Sequence, residues 1–290
     1  MEELQVYKQG VLNTADFGNF NQYNHKVFLY LLAKIGGVDD KGKYLPPNQL
    51  KRKHLLTTKE FQQVFNTDKD NTYKILQQAT KKLMKSDITL DTPETYTIIN
   101  VCSQAVYNKN EGSISIEFTD SIMPYLAQVK AKFTLYNLKE ISNFKSLYTI
   151  RLYELLQDFK ETGWMLKSVV QLRHSLGVGK KFKLYGHLKK KTFGYAVEEI
   201  NKIYKIDLKF KEIKEGRKVT ALKFTFNKTK IVNRYNPKTG DYTNEYVKPE
   251  RQEVVKNKPT KDIVLEGQMK FEDAQNKNHI ASTLDNMFKA

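Results

Sequence analysis

Residues 144–226 constrain this chain more than any other feature, because every local signal in them points to one small fold. Over 144–160, Phe144, Leu147, Tyr148, Leu152, Leu155, Leu156 and Phe159 recur at three- and four-residue spacing. That spacing predicts a helix burying one stripe and ending at Thr162-Gly163. A short strand is expected over 164–166, and Ser168 stands where it can cap a second helix, 169–176, stopped by Gly177. A third helix is expected over 186–204, with Phe193, Ala196, Val197, Ile200, Ile203 and Tyr204 in one sector of its wheel. Ile206, Leu208 and Phe210, then Leu222, Phe224 and Phe226, alternate with polar residues around Lys214-Glu215-Gly216-Arg217-Lys218. This predicts a hairpin with a basic tip. Helix, turn, helix and hairpin together make a winged helix.

The far side of the third helix carries His187, Lys190, Lys191, Gly194, Tyr195, Glu198 and Lys202, so its first two turns are cationic outside and apolar inside. Such a face suits the major groove, where the first turns of a helix approach base edges and phosphates. Lys183 just before it, with His187, Lys190, Lys191 and Tyr195 on it, are therefore candidate DNA contacts. Lys214, Arg217 and Lys218 at the wing tip are candidates for phosphates or the minor groove, and Gly194 is expected to let DNA come close. Arg151 lies at the edge of the apolar stripe, where a salt bridge to a nearby carboxylate is the expected role.

This stretch resembles the iteron-binding plasmid replication initiators of bacteria, built from two winged-helix domains. The likeness is carried by Tyr148-Thr149-Ile150-Arg151-Leu152-Tyr153-Glu154-Leu155-Leu156, by Leu172-Arg173-His174-Ser175-Leu176-Gly177, by 182–201 and by Gly216-Arg217-Lys218-Val219. It runs in order over about residues 19–227, with Tyr195-Ala196 where many relatives carry Pro-Ala. The resemblance implies an α+β fold of two tandem winged-helix domains that binds direct repeats in double-stranded DNA at an origin. It further implies origin opening and recruitment of a host initiator ATPase and replicative helicase. A homodimer in equilibrium with a DNA-binding monomer is implied too, with the hairpin edge at 114–118 as the strand offered to a partner.

Read in order, the chain divides into an arm (1–18), a first winged-helix domain (19–137), a second (138–227) and a largely flexible tail (228–290). The arm is expected to hold at most one short strand or helix. A helix over 20–35 aligns with that over 144–160 when Asn19-Phe20 is set on Asn143-Phe144, a weak internal repeat. Thr57 to Glu60 is a capping-box pattern, and Asp70-Asn71 opens a helix through Lys85. On that helix Lys74, Gln77, Gln78 and Lys81 share the side away from Ile75, Leu76, Ala79 and Leu83. Gln can contact adenine while Lys takes phosphate or guanine. The same pattern also suits a plain solvated face. Strands are expected over 88–90, 96–107 and 113–118, the last two joined by a first wing, followed by a helix over 121–128 capped by Thr119. A short amphipathic helix is expected over 280–288.

Charge agrees with this division. Of the net +17, residues 228–290 contribute +3 from 12 basic and 9 acidic side chains, which leaves +14 on residues 1–227. The positive field thus belongs to the folded part, as phosphate neutralisation requires, although a lysine-rich solvated surface would read alike. No stretch approaches the roughly 18 unbroken apolar residues of a membrane span. Met1-Glu2-Glu3-Leu4 lacks the basic and apolar regions of a signal peptide, so the cytoplasm is the expected compartment.

Catalytic patterns are missing. Gly177-Val178-Gly179-Lys180-Lys181 has the wrong spacing for a phosphate-binding loop, and the five histidines are too scattered for a paired-histidine metal site. The single cysteine, Cys102, can form no internal disulfide. No cofactor, metal or enzymatic activity is expected. Besides an initiator, the residues admit a winged-helix autorepressor without a replication role, or a non-catalytic scaffold in a conjugation or partition complex.

Overall fold

Two helix-centred layers are joined by a two-stranded ribbon in this computed structural model, which describes residues 4–35, 45–92, 94–108, 110–127, 133–204, 206–227, 231–235 and 242–246. The ribbon pairs β1 (Gln5–Gln9) with β7 (Phe133–Asn137), so the arm is stitched to the segment that leads into the second domain. One helical turn, α1 (Val11–Thr14), follows β1, so the arm holds a strand and a helix where at most one element is expected.

In the first domain, α2 (Gln22–Ile35) is buried along most of its length. Against it packs α4 (Lys69–Leu83), and α3 (Thr58–Phe65) packs in turn on α4. The Thr57–Glu60 capping box forms as the sequence predicts, Thr57 accepting from the Glu60 amide while Glu60 accepts from the Thr57 amide. Helix α4 opens one residue earlier than expected, because Asp68 accepts from the Asp70 amide. Strands β2 (Lys53–Thr57), β6 (Ser113–Phe118) and β5 (Cys102–Asn108) form one antiparallel sheet in the order β2-β6-β5.

Three expectations are corrected here. The strand expected over 96–107 is two, because fully buried Val101 interrupts it: β4 (Tyr96–Asn100) turns away to pair with β3 (Asp87–Asp91). The edge at 114–118 is not free, since Ile114 pairs with Leu56 on one side and Tyr107 on the other. The helix expected over 121–128 is the single turn α5 (Met123–Leu126). Thr119 does not cap it; its hydroxyl donates to the Asn100 carbonyl at 2.6 Å.

The second domain begins with α6 (Leu147–Gln157), capped by Ser146, then β8 (Trp164–Ser168) and α7 (Val169–Ser175). Ser168 and Gln171 form a capping box, and Gly177 follows the helix at φ +63°. Next come α8 (Tyr185–Lys191), α9 (Phe193–Tyr204) and the wing strands β9 (Lys209–Glu215) and β10 (Lys218–Thr225), in a sheet ordered β8-β10-β9. The alternation of Phe210 and Phe224 brings both rings onto Phe193, which seats the wing on α9. Of the stretch expected to be a flexible tail, Ile231–Tyr235 and Tyr242–Tyr246 pair antiparallel as β11 and β12. The helix expected over 280–288 lies outside the described residues.

Candidate nucleic-acid interface

The helix expected over 186–204 is broken, and the break shapes the basic face. Thr192 leaves helical geometry at φ −124° and ψ −103°, and its buried hydroxyl donates to the Leu188 carbonyl at 2.6 Å. Two residues on, a Cβ at Gly194 would stand 2.6 Å from the Lys189 carbonyl oxygen. Gly194 is therefore required by the close approach of α8 to α9, not by an approaching DNA surface. The elbow gathers Lys189, Lys190 and Lys191 in the last turn of α8, where cations complement the carbonyl end of the helix.

Within that cluster the three ammonium groups differ. Lys189 is held, donating to Glu212 on β9 at 2.9 Å and lying over the Phe210 ring, while the Tyr185 hydroxyl donates to the same carboxylate at 2.9 Å. The Lys189 bond holds the Glu212 carboxyl below its ordinary value, and burial together with Glu212 pushes the Tyr185 hydroxyl up. This triad pins α8 to the wing. Lys190 and Lys191 are exposed instead and, with Tyr195 from the first turn of α9, line an open groove of about 850 Å³. His187 and Lys183 are exposed outside its lining. The turn before α8 is shaped by Arg173, which donates to the carbonyls of Gly179 at 2.7 Å and Phe182 at 3.0 Å. At the wing tip Lys214, Arg217 and Lys218 are exposed around Gly216, whose φ of +58° suits glycine in a two-residue turn.

On the first domain Lys74, Gln77, Gln78 and Lys81 are all exposed on one side of α4. Lys74 and Gln78 line a second groove, about 610 Å³, together with residues 142–145. Lys145 lines both grooves. The outward residues of α4 and the α8–α9 elbow are thus joined by one exposed cation that spacing alone did not single out. It precedes Ser146, the cap of α6, and its own amide donates to Glu199 at 2.8 Å. Arg151 is remote from both grooves. It is fully buried and paired with Glu154 at 3.1 Å, the salt bridge expected of it.

Among the described residues no group of three His, Cys, Asp or Glu side chains could hold a metal, and no helix is long and apolar enough to cross a membrane. Cys102 is buried, and burial pushes its thiol up to about 12.

Comparison with known proteins finds two family matches in tandem, the first of which takes in the arm strand β1 and helix α6. Residues 5–157 match the family described as Initiator Replication protein, WH1, and residues 168–226 match Initiator Rep protein, WH2. The chain belongs to this initiator family. A replication initiation protein of Escherichia coli is 26% identical over 173 residues, covering 59% of this chain and 49% of the relative. The PI protein of Escherichia coli is 29% identical over 148 residues, covering 44% and 48%. The chain therefore spans about half the length of these curated initiators. Among solved structures, Pi initiator protein in complex with iteron DNA superposes with a TM-score of 0.62 at 20% identity, covering 78% of this chain and 98% of that one. That likeness establishes the tandem winged-helix fold.

Proposed function

We propose that this initiator family member is a plasmid replication initiator that binds direct repeats at its origin through both winged helices. It then promotes opening of adjacent DNA and recruits host replication proteins, an initiator ATPase and the replicative helicase. The observation that carries this reading is the continuity of the basic surface: Lys145 lines both the groove of Lys74 and Gln78 and that of Lys190, Lys191 and Tyr195. The elbow and α4 read base edges, while Lys183, His187 and the wing-tip cations Lys214, Arg217 and Lys218 lie along the backbone. Gln77 and Lys81 extend the first reading face. The protein acts as a cytoplasmic DNA-binding protein without nicking or nucleotide-hydrolysing activity. The division into arm, two domains and tail follows the limits read from the sequence.

The first domain also pairs copies, in a monomer–dimer equilibrium whose monomer binds the repeats. With β6 central in its sheet, the strands available for pairing are β2, β5 and the outer strand β4, where Tyr96 and Ile98 are exposed. Footprinting on the DNA flanking the coding region tests the main reading. Protection repeating over directly repeated sequence supports an initiator. Protection of one inverted repeat over the promoter alone overturns it in favour of an autorepressor.

A further inference from the structure

A cluster of buried ionisable groups lies at the seam between the domains, away from both grooves. Its centre is Glu154 on α6, fully buried. One carboxylate oxygen accepts from Lys8 on β1 and from the Tyr136 hydroxyl on β7 at 2.8 Å. The other accepts from Arg151 at 3.1 Å and from His25 of α2 at 3.1 Å. One carboxylate is thus tied to the arm, the connecting strand, its own helix and the central helix of the first domain. Arg151 extends the cluster, donating to the carbonyls of Leu12, Asn13 and Ala15 in the arm and of Ser175 at the end of α7. One turn on, Asp158 accepts from Asn13 at 2.8 Å and Thr134 at 2.6 Å.

An apolar seam of equal volume would hold the domains together at least as well, since burying charges costs several kcal/mol each. The ionic seam differs in its tolerance of motion. Apolar side chains can slide past one another with contact preserved, whereas any slip that parts Glu154 from a partner leaves a buried charge uncompensated. The cluster therefore favours the relative setting of α2 and α6 in which all its contacts are made, and with it one setting of the α4 face against the α8–α9 elbow.

We propose that Glu154 is a positioning residue that fixes the distance and phase between the two DNA-reading faces, and so sets the half-site spacing this chain accepts. The inference rests on the proposed reading that both domains engage one duplex. Each inserted base pair rotates one half-site by roughly 35° relative to the other. A rigid pair of domains then loses simultaneous engagement, and a loosened pair keeps it.

The test uses the full chain and duplexes carrying one repeat with zero, one, two or five base pairs inserted at its centre. Wild type is expected to lose at least about ten-fold in affinity on inserting two base pairs, since linked engagement is lost. Glu154→Gln, of equal size but uncharged, is expected to bind the unaltered repeat more weakly and to flatten that dependence to less than about three-fold. Lys8→Met is the second variant, leaving the Arg151–Glu154 pair intact, and it is expected to flatten the dependence likewise. A DNA-free measurement separates the two layers of the argument: spin labels at Glu94→Cys and Glu161→Cys report the inter-domain distance distribution. A broader distribution in Lys8→Met than in the unaltered background supports the inference. Equal distributions, or variants that keep the wild-type spacing dependence, overturn it. If wild type does not bind the repeat although Lys8→Met broadens the distribution, the positioning of the domains stands and the DNA reading fails.

Discussion

Removing the guanidinium of Arg151 tests the buried seam at its most connected residue. Arg151 is fully buried, lies over the Phe17 ring at 4.2 Å, and donates to four carbonyls and the Glu154 carboxylate at 2.7 to 3.2 Å. Breaking a buried ion pair by removing one partner costs about 3–5 kcal/mol. Each carbonyl left without a donor adds about 1–3 kcal/mol, although water admitted to the vacated space recovers part of this. Arg151→Ala should therefore lose about 4 kcal/mol or more, a large part of a stability of about 5–15 kcal/mol. Arg151→Lys keeps the charge but cannot span the same carbonyls, and should fall between the two. The assay is urea unfolding followed by far-UV circular dichroism and by fluorescence of Trp164, the single tryptophan. A loss below about 1 kcal/mol at unchanged m would refute the claim that the guanidinium organises the seam.

Other outcomes follow from the same contacts. His25 is fully buried, and burial, opposed by Glu154 and aided by Arg151 and Lys8, lowers its pKa from 6.5 to about 4. Between those values the unfolded chain takes up a proton that the folded chain does not, so stability falls on acidification, by about 2 kcal/mol from pH 7 to pH 5. His25→Gln should remove that slope, and equal slopes in urea titrations would contradict the assignment. Burial alone would raise the Glu154 carboxyl, but Lys8, His25 and Arg151 hold it well below its usual range, so its own contribution is lost only at lower pH. Gly194→Ala should lower stability by about 1–3 kcal/mol through its clash with the Lys189 carbonyl. Gly186→Ala, with open space around its Cβ, should raise stability by about 0.5–1 kcal/mol, and thermal unfolding of both variants checks the contrast. Lys218→Ala should weaken binding to repeat and scrambled duplexes alike and reduce the salt slope by about one unit, measured as affinity against salt concentration.

Much of the second domain was legible because its signals are local. Ser168 before α7, Gly177 after it and the alternation of Leu222 and Phe224 each act within a few residues, and the structure realises them where spacing put them. The elbow was not legible, because Thr192 carries no breaker signature and Gly194 suits a close approach by any neighbour; only the fold shows that the neighbour is the Lys189 carbonyl. The edge at 114–118 was misread because β2 is only five residues long and its adjacent Leu55 and Leu56 obscure the alternation that buries His54 and Leu56. Nor could spacing reveal the seam, whose Lys8 and Glu154 are 146 residues apart. Arg151 was readable as an ion pair, since Glu154 follows three residues later on the same helix face. The exposure of Lys74, Gln77, Gln78 and Lys81 followed from helical periodicity, whereas their link to the elbow through Lys145 depends on how the domains meet.

The central claim is that the α8–α9 elbow reads sequence while the wing holds the backbone, and Lys191→Ala tests it most directly. Lys191 is exposed and lines the groove, free of the Glu212 contact that occupies Lys189. A good base contact discriminates by about 1–3 kcal/mol, so the measurement is a pair of binding isotherms, on the repeat and on a scrambled duplex, at several salt concentrations. The account predicts that Lys191→Ala loses about five-fold or more on the repeat and little on scrambled DNA. Equal loss on both duplexes would place Lys191 on the phosphates and contradict the assignment of the elbow as the reading face.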